Sequence, residues 1–363
     1  MEFEAVYNVP KDGRLKVLGP NACEPMAWDE SGLELGIWED FGLDSGYWLD
    51  GLGKLPRKMR VKFKTGLDSE FSQLFAGCSE LLEVSGLDTS KGTDFSGMFW
   101  YCSNLESVPK LDTSNGKTFS AMFRGCSNLA SVPALDTHNG ENFHGMFWGC
   151  SELASVPALN TSNGANFSLM FSGCSNLESV PSLDTSKGAH FIEMFQGCKS
   201  LASVPALDTS NGTDFSGMFE GCSNLAGVPL LDTHNGTGFG GMFEGCSSLA
   251  GVPALDTSNG TDFSAMFRDC FNLASVPALD THNGENFIGM FRNCRVLKEC
   301  PKIGVPLGAL LNRMFLGCTG LVDASKLTIW IGKGGAASDV AGVFDGCPNV
   351  LESKGPVLIV VRQ

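Results

Sequence analysis

Thiols, carboxylates and one aromatic–guanidinium group recur in this sequence at a spacing that brings like residues side by side. Cysteine stands at Cys78, Cys102, Cys126, Cys150, Cys174, Cys198, Cys222, Cys246, Cys270, Cys294 and Cys318, each 24 residues after the last. A row of thiols invites disulfide or thiolate–metal chemistry. Equivalent side chains on stacked chains point in parallel, however, with Cβ atoms ~4.8 Å apart or more, outside the ~3.5–4.5 Å a disulfide needs. The fourteen cysteines also include no C-x-x-C pair and no zinc-ligand spacing. The cysteines are therefore expected to be free, buried, small hydrophobes.

A second ladder is acidic: Asp88, Asp112, Asp136, Asp184, Asp208, Asp232, Asp256 and Asp280, each followed by Thr. Stacked carboxylates repel unless a cation lies between them or each accepts N–H bonds from its own turn. Asn160 fills the slot in one rung, keeping an acceptor and dropping the charge. The slot is thus read as an Asx-turn cap in preference to a calcium site. His138, His234 and His282 replace Ser two residues after the acid in non-adjacent rungs, where they read as solvated turn residues and form no metal cluster.

The variable positions carry the binding signal. Between Phe and Gly-Cys the residue runs Ala76, Trp100, Arg124, Trp148, Ser172, Gln196, Glu220, Glu244, Arg268 and Arg292. A slot tolerating this range reads as exposed. Three consecutive rungs place Trp100, Arg124 and Trp148 in one column, with Tyr101 beside the first and His144 near the last. Exposed aromatics around an Arg are a contact site for protein or sugar. The alternative is an interdomain core, with the N-terminal zone folded over the column. The opposite face, with Ala130, Ser131, Pro133 and Ala134 in one rung, is small and flat. No nucleophile elbow, zincin, phosphate-loop or dinucleotide motif occurs, so no catalytic residue and no cofactor are expected.

The elements that hold these positions repeat too. Phe95, Met98, Phe99 and Cys102 fall at i, i+3, i+4 and i+7, one face of a short helix. Leu105, Val108 and Leu111 read as a short parallel strand, limited to a few paired residues by Pro109, which has no N–H to give. Asn115-Gly116 turns the chain, with Gly supplying a positive φ. A fixed 24-residue period marks a solenoid, whose units bury apolar surface by stacking on neighbours. The expected fold is an α/β, leucine-rich-repeat-like stack of short parallel strands and short helices behind a β-containing N-terminal cap.

Three zones are expected: 1–66, a non-repeating capping or attachment domain; 67–303, the regular array; and 304–363, degenerate repeats with a C-terminal cap. Within the first zone, Glu2 to Val9 and Lys58 to Lys64 alternate like strands. The stretch Gly32 to Gly53 reads as an ordered loop in a zone that also holds Trp28, Trp38 and Trp48. Pro356 to Arg362 reads as a closing strand.

The phrases MFxGCSNL and LDTSNGTDFSGMF resemble the bacterial surface protein repeat of the BspA-like leucine-rich-repeat group, from near Leu67 to Cys318. That resemblance implies non-enzymatic recognition at a surface, as in adhesins and phage tail or fibre proteins, and carries no family-wide binding residues.

The formal net charge of −15 argues against nucleic acid and anionic membranes as partners, and no apolar run is long enough to span a bilayer. The start, Met1 to Ala5, lacks the regions of a secretory signal. The expected function is recognition or adhesion, displayed on a bacterial cell or virion and binding protein or cell-surface glycan, with residues 1–66 attaching the array to a larger assembly. The alternatives are a phage structural component, such as a tail-fibre or head-decoration protein, and a spacer with no ligand of its own.

Overall fold

In the computed structural model, residues 71–79, 81–84, 87–329 and 342–350 are described with their side chains, and 3–7, 33–35, 58–63, 85, 330–331 and 357–360 by backbone alone. The chain divides into two units, Met1–Asp184 and Thr185–Gln363.

In the first unit, the strands β1 (Phe3–Tyr7), β2 (Leu33–Leu35), β3 (Lys58–Phe63) and β4 (Glu83–Ser85) form one sheet in the order β2-β1-β3-β4. All its pairings are parallel, with Ala5 opposite both Leu33 and Val61, and Lys58 opposite Glu83. The strands expected near the start and at Lys58 are present, slightly shorter. Leu33–Leu35, read from sequence as loop, is a third. Because β3 pairs with β4 of the first rung, backbone hydrogen bonding crosses the boundary expected at residue 66. The attachment role of 1–66, the remainder of the Gly32 to Gly53 stretch, and Trp28, Trp38 and Trp48 lie outside the described residues.

The rungs that follow differ from expectation in an informative way. Phe95, Met98, Phe99, Cys102 and Leu105 are all fully buried, as the pattern requires. Yet the regular rungs contain no helix among the described residues. Backbone donors alternate instead. The N–H groups of Phe95, Gly97, Phe99 and Tyr101 donate to carbonyls of the next rung, at Thr118, Ser120, Met122 and Arg124, over 2.7–3.0 Å. Those of Met98, Trp100 and Cys102 donate three residues back, to Phe95, Gly97 and Phe99. Positive φ at Gly97 (59°) and Tyr101 (56°) produces the alternation.

Spacing explains why no helix forms. The Phe95, Phe119, Phe143 and Phe167 rings stack at centroid distances of 5.7–5.8 Å, as do Phe99, Phe123, Phe147 and Phe171 at 5.6 Å. A helix is ~10 Å across, too wide for that repeat. The flat turn ribbon buries the same face and spends half its donors on the neighbouring rung.

The expected Leu-Val-Pro-Leu strand is present in the first rung as β4, which bridges on from Glu83 to Ser107, and is absent from the regular rungs that follow. Parallel bridging falls just before the first Phe, at Asp94, Thr118, Asn142 and Asn166 in turn. The Pro-bearing side keeps isolated bonds such as Glu106 N–H to the Leu82 carbonyl, 3.0 Å, because Pro cannot continue a ladder. Gly116 is required for a reason the sequence did not suggest. Its φ is not positive, but a Cβ there would lie 2.5 Å from Cζ of Phe119, so only Gly lets the ring pass under the turn.

The second unit repeats this architecture by itself. Its bridges run through His190, Asp214, Gly238, Asp262, Asn286 and Leu310. Its phenylalanines stack from Phe219 through Phe243, Phe267, Phe291 and Phe315 to Phe344 at 5.1–5.6 Å. It ends in a parallel three-stranded sheet of β5 (Ile303–Val305), β6 (Leu327–Ile331) and β7 (Val357–Val360), the last being the closing strand read near the C-terminus. Both units are solenoid-like stacks of 24-residue rungs.

Candidate functional site

The acidic ladder forms turns, and each turn is closed by its own residues. Asp112 Oδ1 accepts the Ser114 N–H at 3.1 Å and its hydroxyl at 2.7 Å. Asn160 does the same for Ser162 at 3.2 and 2.8 Å, without a charge. Where His replaces Ser, the ring takes over the contact: His138 Nδ1 lies 2.7 Å from Asp136 Oδ1. These bonds to the charged form hold the carboxyls of Asp88, Asp112, Asp136, Asp232, Asp256 and Asp280 below their ordinary value. The Asp184 carbonyl accepts Thr161 Oγ1, and Asp208 Oδ1 accepts both donors of Ser210. Among the described residues no group of three His, Cys, Asp or Glu side chains could hold a metal.

The thirteen described cysteines are free and buried. Several of the regular ones do more than fill space. Cys102 Sγ donates to the Phe75 carbonyl at 3.0 Å, and Cys126 to Phe99 likewise. Burial pushes the Cys126, Cys150, Cys174 and Cys222 thiols up, Cys174 to about 12.

The column expected from the variable slot assembles in the first unit. The Arg124 guanidinium carbon lies 3.6 Å from the Trp148 ring centroid, 5.5 Å from Trp100 and 5.7 Å from Tyr101. Trp100 and Tyr101 stack on each other at 5.4 Å. The Trp100 Nε1–H is buried without a partner, so stacking, not hydrogen bonding, orients that indole. His144 is half-buried, and its pKa is lowered first by that burial and then by the charge of Arg124. The slot is not uniformly exposed, as the sequence implied. Ala76 (0%) and Ser172 (2%) are buried in it, and only the large side chains reach solvent.

Tyr101 stands out in its own slot. At the equivalent position the next three rungs of this unit carry Gly125, Gly149 and Gly173, all at positive φ. A bulky side chain at φ 56° is a costly departure. The ring rests where Gly125 leaves room, since a Cβ there would lie 2.4 Å from the Tyr101 ring.

The same slots in the second unit are filled differently. Gln196 Nε2 donates to Glu220 Oε2 at 3.1 Å, Arg268 pairs with Glu244, and Asn293 Nδ2 donates to Asp269 Oδ1 at 2.7 Å. The polar groups there satisfy one another, apart from the buried Arg292 Nε. Arg124 has no such partner: its guanidinium makes no hydrogen bond or ion pair among the described residues.

A family model described as "Mycoplasma protein of unknown function, DUF285" matches residues 69–182, 129–232 and 213–320, which overlap to run from 69 to 320. No curated protein matches this chain. Among solved structures, the chain is similar to one described as the crystal structure of the TLR13–ssRNA13 complex. The two are 15% identical, with 82% of this chain and 53% of that chain covered and a TM-score of 0.27. This chain therefore spans about half the length of that protein.

Proposed function

We propose, on the premise that this chain belongs to the DUF285 family of repeat proteins, that it is a non-enzymatic binding protein whose contact site is the Trp100–Arg124–Trp148 column with Tyr101 and His144. One observation carries the reading. The rungs of the second unit fill these slots with side chains that pair among themselves, whereas the first unit puts aromatic rings around an Arg that nothing pairs. Stability does not call for this arrangement, because it leaves an indole N–H unpartnered and sets Tyr at a Gly position. Binding surfaces are built from such rigid aromatics and Arg.

The setting proposed for this activity is a bacterial or virion surface, as the BspA-like repeat resemblance implies, with protein or glycan as partner and residues 1–66 as attachment. A printed glycan array and a peptide array test the binding reading, with the full chain and its Trp100→Ser/Trp148→Ser variant compared on both. Serine already occupies the slot at Ser172, so the variant should stay folded by circular dichroism and lose the hits of the parent. A variant that keeps every hit, or a parent that binds nothing on either array, would leave the spacer reading in its place.

A further inference from the structure

We propose that the ligand of this column is a carboxylate-bearing sugar, its carboxylate held by the Arg124 edge and its apolar face laid on Tyr101. The inference rests on the binding reading above and adds the chemistry of what binds.

The guanidinium comes first. The chain has 40 Asp and Glu against 25 Lys and Arg, so a cation left without a counter-ion among that excess is an available charge. The flat sides of Arg124 are covered by the Trp148 ring on close contact and by Trp100 and Tyr101 farther off. What remains is its edge, and none of its nitrogens is among the buried unpartnered atoms. Edge N–H groups in a fixed fork match a carboxylate in two parallel bonds. Stacking has already restricted the side chain, so little rotamer freedom is left to lose on binding.

The neighbours narrow the class. Tyr101 is 51% exposed, an aromatic surface beside the charge on which the C–H face of a pyranose can lie. Its hydroxyl makes no hydrogen bond among the described residues and is free for a sugar hydroxyl. His144, with its pKa lowered, offers a neutral donor and acceptor near Arg124. One cation, one neutral imidazole, one phenol and one half-exposed aromatic ring suit a single acid group on a polyhydroxylated ring.

Extended peptide fits less well. The backbone donors beside the column, at Phe99, Tyr101, Phe123 and Gly125, are already bonded to the next rung, so no edge is open for strand addition. Nucleic acid is bound through many phosphates and clustered cations, and the column has one.

The test is titration calorimetry of the full chain with glucuronate, 3′-sialyllactose, lactose and a short polyglutamate. The expected result is binding of at least one acidic sugar, with lactose at least tenfold weaker than sialyllactose wherever sialyllactose binds. Arg124→Gln should weaken the acidic sugar at least tenfold, and Arg124→Lys should not restore it, since a point charge lacks the fork. Tyr101→Gly should weaken it severalfold without lowering the melting temperature, because Gly is what the next rungs carry. Should Arg124→Gln fail to fold, protection of the parent's Trp100 and Trp148 from oxidation by glucuronate or sialyllactose replaces it. Equal affinity for lactose and sialyllactose, or binding of polyglutamate alone, overturns the acidic-sugar inference. Array hits that the double Trp variant loses, none of them acidic sugars, also overturn it but leave the column as the binding site. Array hits untouched by the double variant overturn both.

Discussion

Thr209 donates its hydroxyl to the backbone carbonyl of Asp232 at 2.7 Å, tying one rung to the next through a side chain with no exposed surface. The Thr113–Asp136 and Thr233–Asp256 pairs repeat the bond within their own units. Thr209→Val keeps the shape and removes the buried donor, leaving the Asp232 carbonyl without that partner. That should cost about 1–2 kcal/mol, and Thr209→Ser distinctly less. Urea denaturation of the three proteins measures it; an unchanged midpoint for the valine variant would show that the bond is not a stabilising one.

The Phe95, Met98, Phe99 and Cys102 spacing correctly reported which residues share a buried face. It carried no information on where their N–H groups go, and a turn ribbon satisfies the same spacing as a helix. Glycines four residues apart, such as Gly145 and Gly149 or Gly217 and Gly221, each at positive φ, are what distinguish the ribbon from a helix. The aromatic–arginine column was legible because the 24-residue register alone brings Trp100, Arg124 and Trp148 together. That Arg124 lacks a partner was not, since Arg268 occupies the same slot and is paired through the particular length and rotamer of Glu244.

The aspartate ladder should need its acceptor and not its charge. Asp208 Oδ1 takes the N–H and hydroxyl of Ser210 at 3.0 and 2.6 Å. Asp208→Asn preserves both, as Asn160 does naturally, and should change stability little, whereas Asp208→Ala should lose about 1 kcal/mol. A chelator should not move the melting temperature. A pronounced drop on chelation would mean that a cation, and not the turn, needs the row.

Acid should expose the same ladder from another side. The folded-state carboxyls of Asp112 and Asp256 are lowered by hydrogen bonds from Ser114 and Ser258, so their contribution is full above the unfolded value of ~3.9. It is lost as pH falls through the lower folded value. The melting temperature should therefore fall on acidification through this range, and Asp112→Asn/Asp256→Asn should flatten that limb. An acid limb of unchanged slope in the double variant would assign the loss to other groups.

The thiols should be silent until the chain unfolds. Cys174 and Cys246 are buried and pushed up to about 12, so at pH 8 almost none is thiolate. Ellman's reagent should label few cysteines in the native protein, and many more in denaturant without any reductant. Rapid native labelling would contradict the burial, and silence in denaturant would mean the thiols are already oxidised.

Ala265 offers the sharpest check on the turn ribbon. Its φ is 54°, in a slot where Gly217, Gly241 and Gly289 stand at 62–63°. An L-residue in that region costs roughly 1–2 kcal/mol. Replacing it with Gly removes the strain but adds backbone freedom to the unfolded chain, worth roughly 0.5–1 kcal/mol. The difference favours Ala265→Gly by up to about 1.5 kcal/mol, an unusual sign for a substitution that deletes a methyl group. Ala206, exposed and without a positive φ, is the control, and Ala206→Gly should destabilise. Gly241→Ala should destabilise for the converse reason. In a helix the first variant would lower stability, because Gly is among the poorest helix formers. A lower melting temperature for Ala265→Gly would therefore refute the alternating backbone and restore the helix that the hydrophobic spacing suggested.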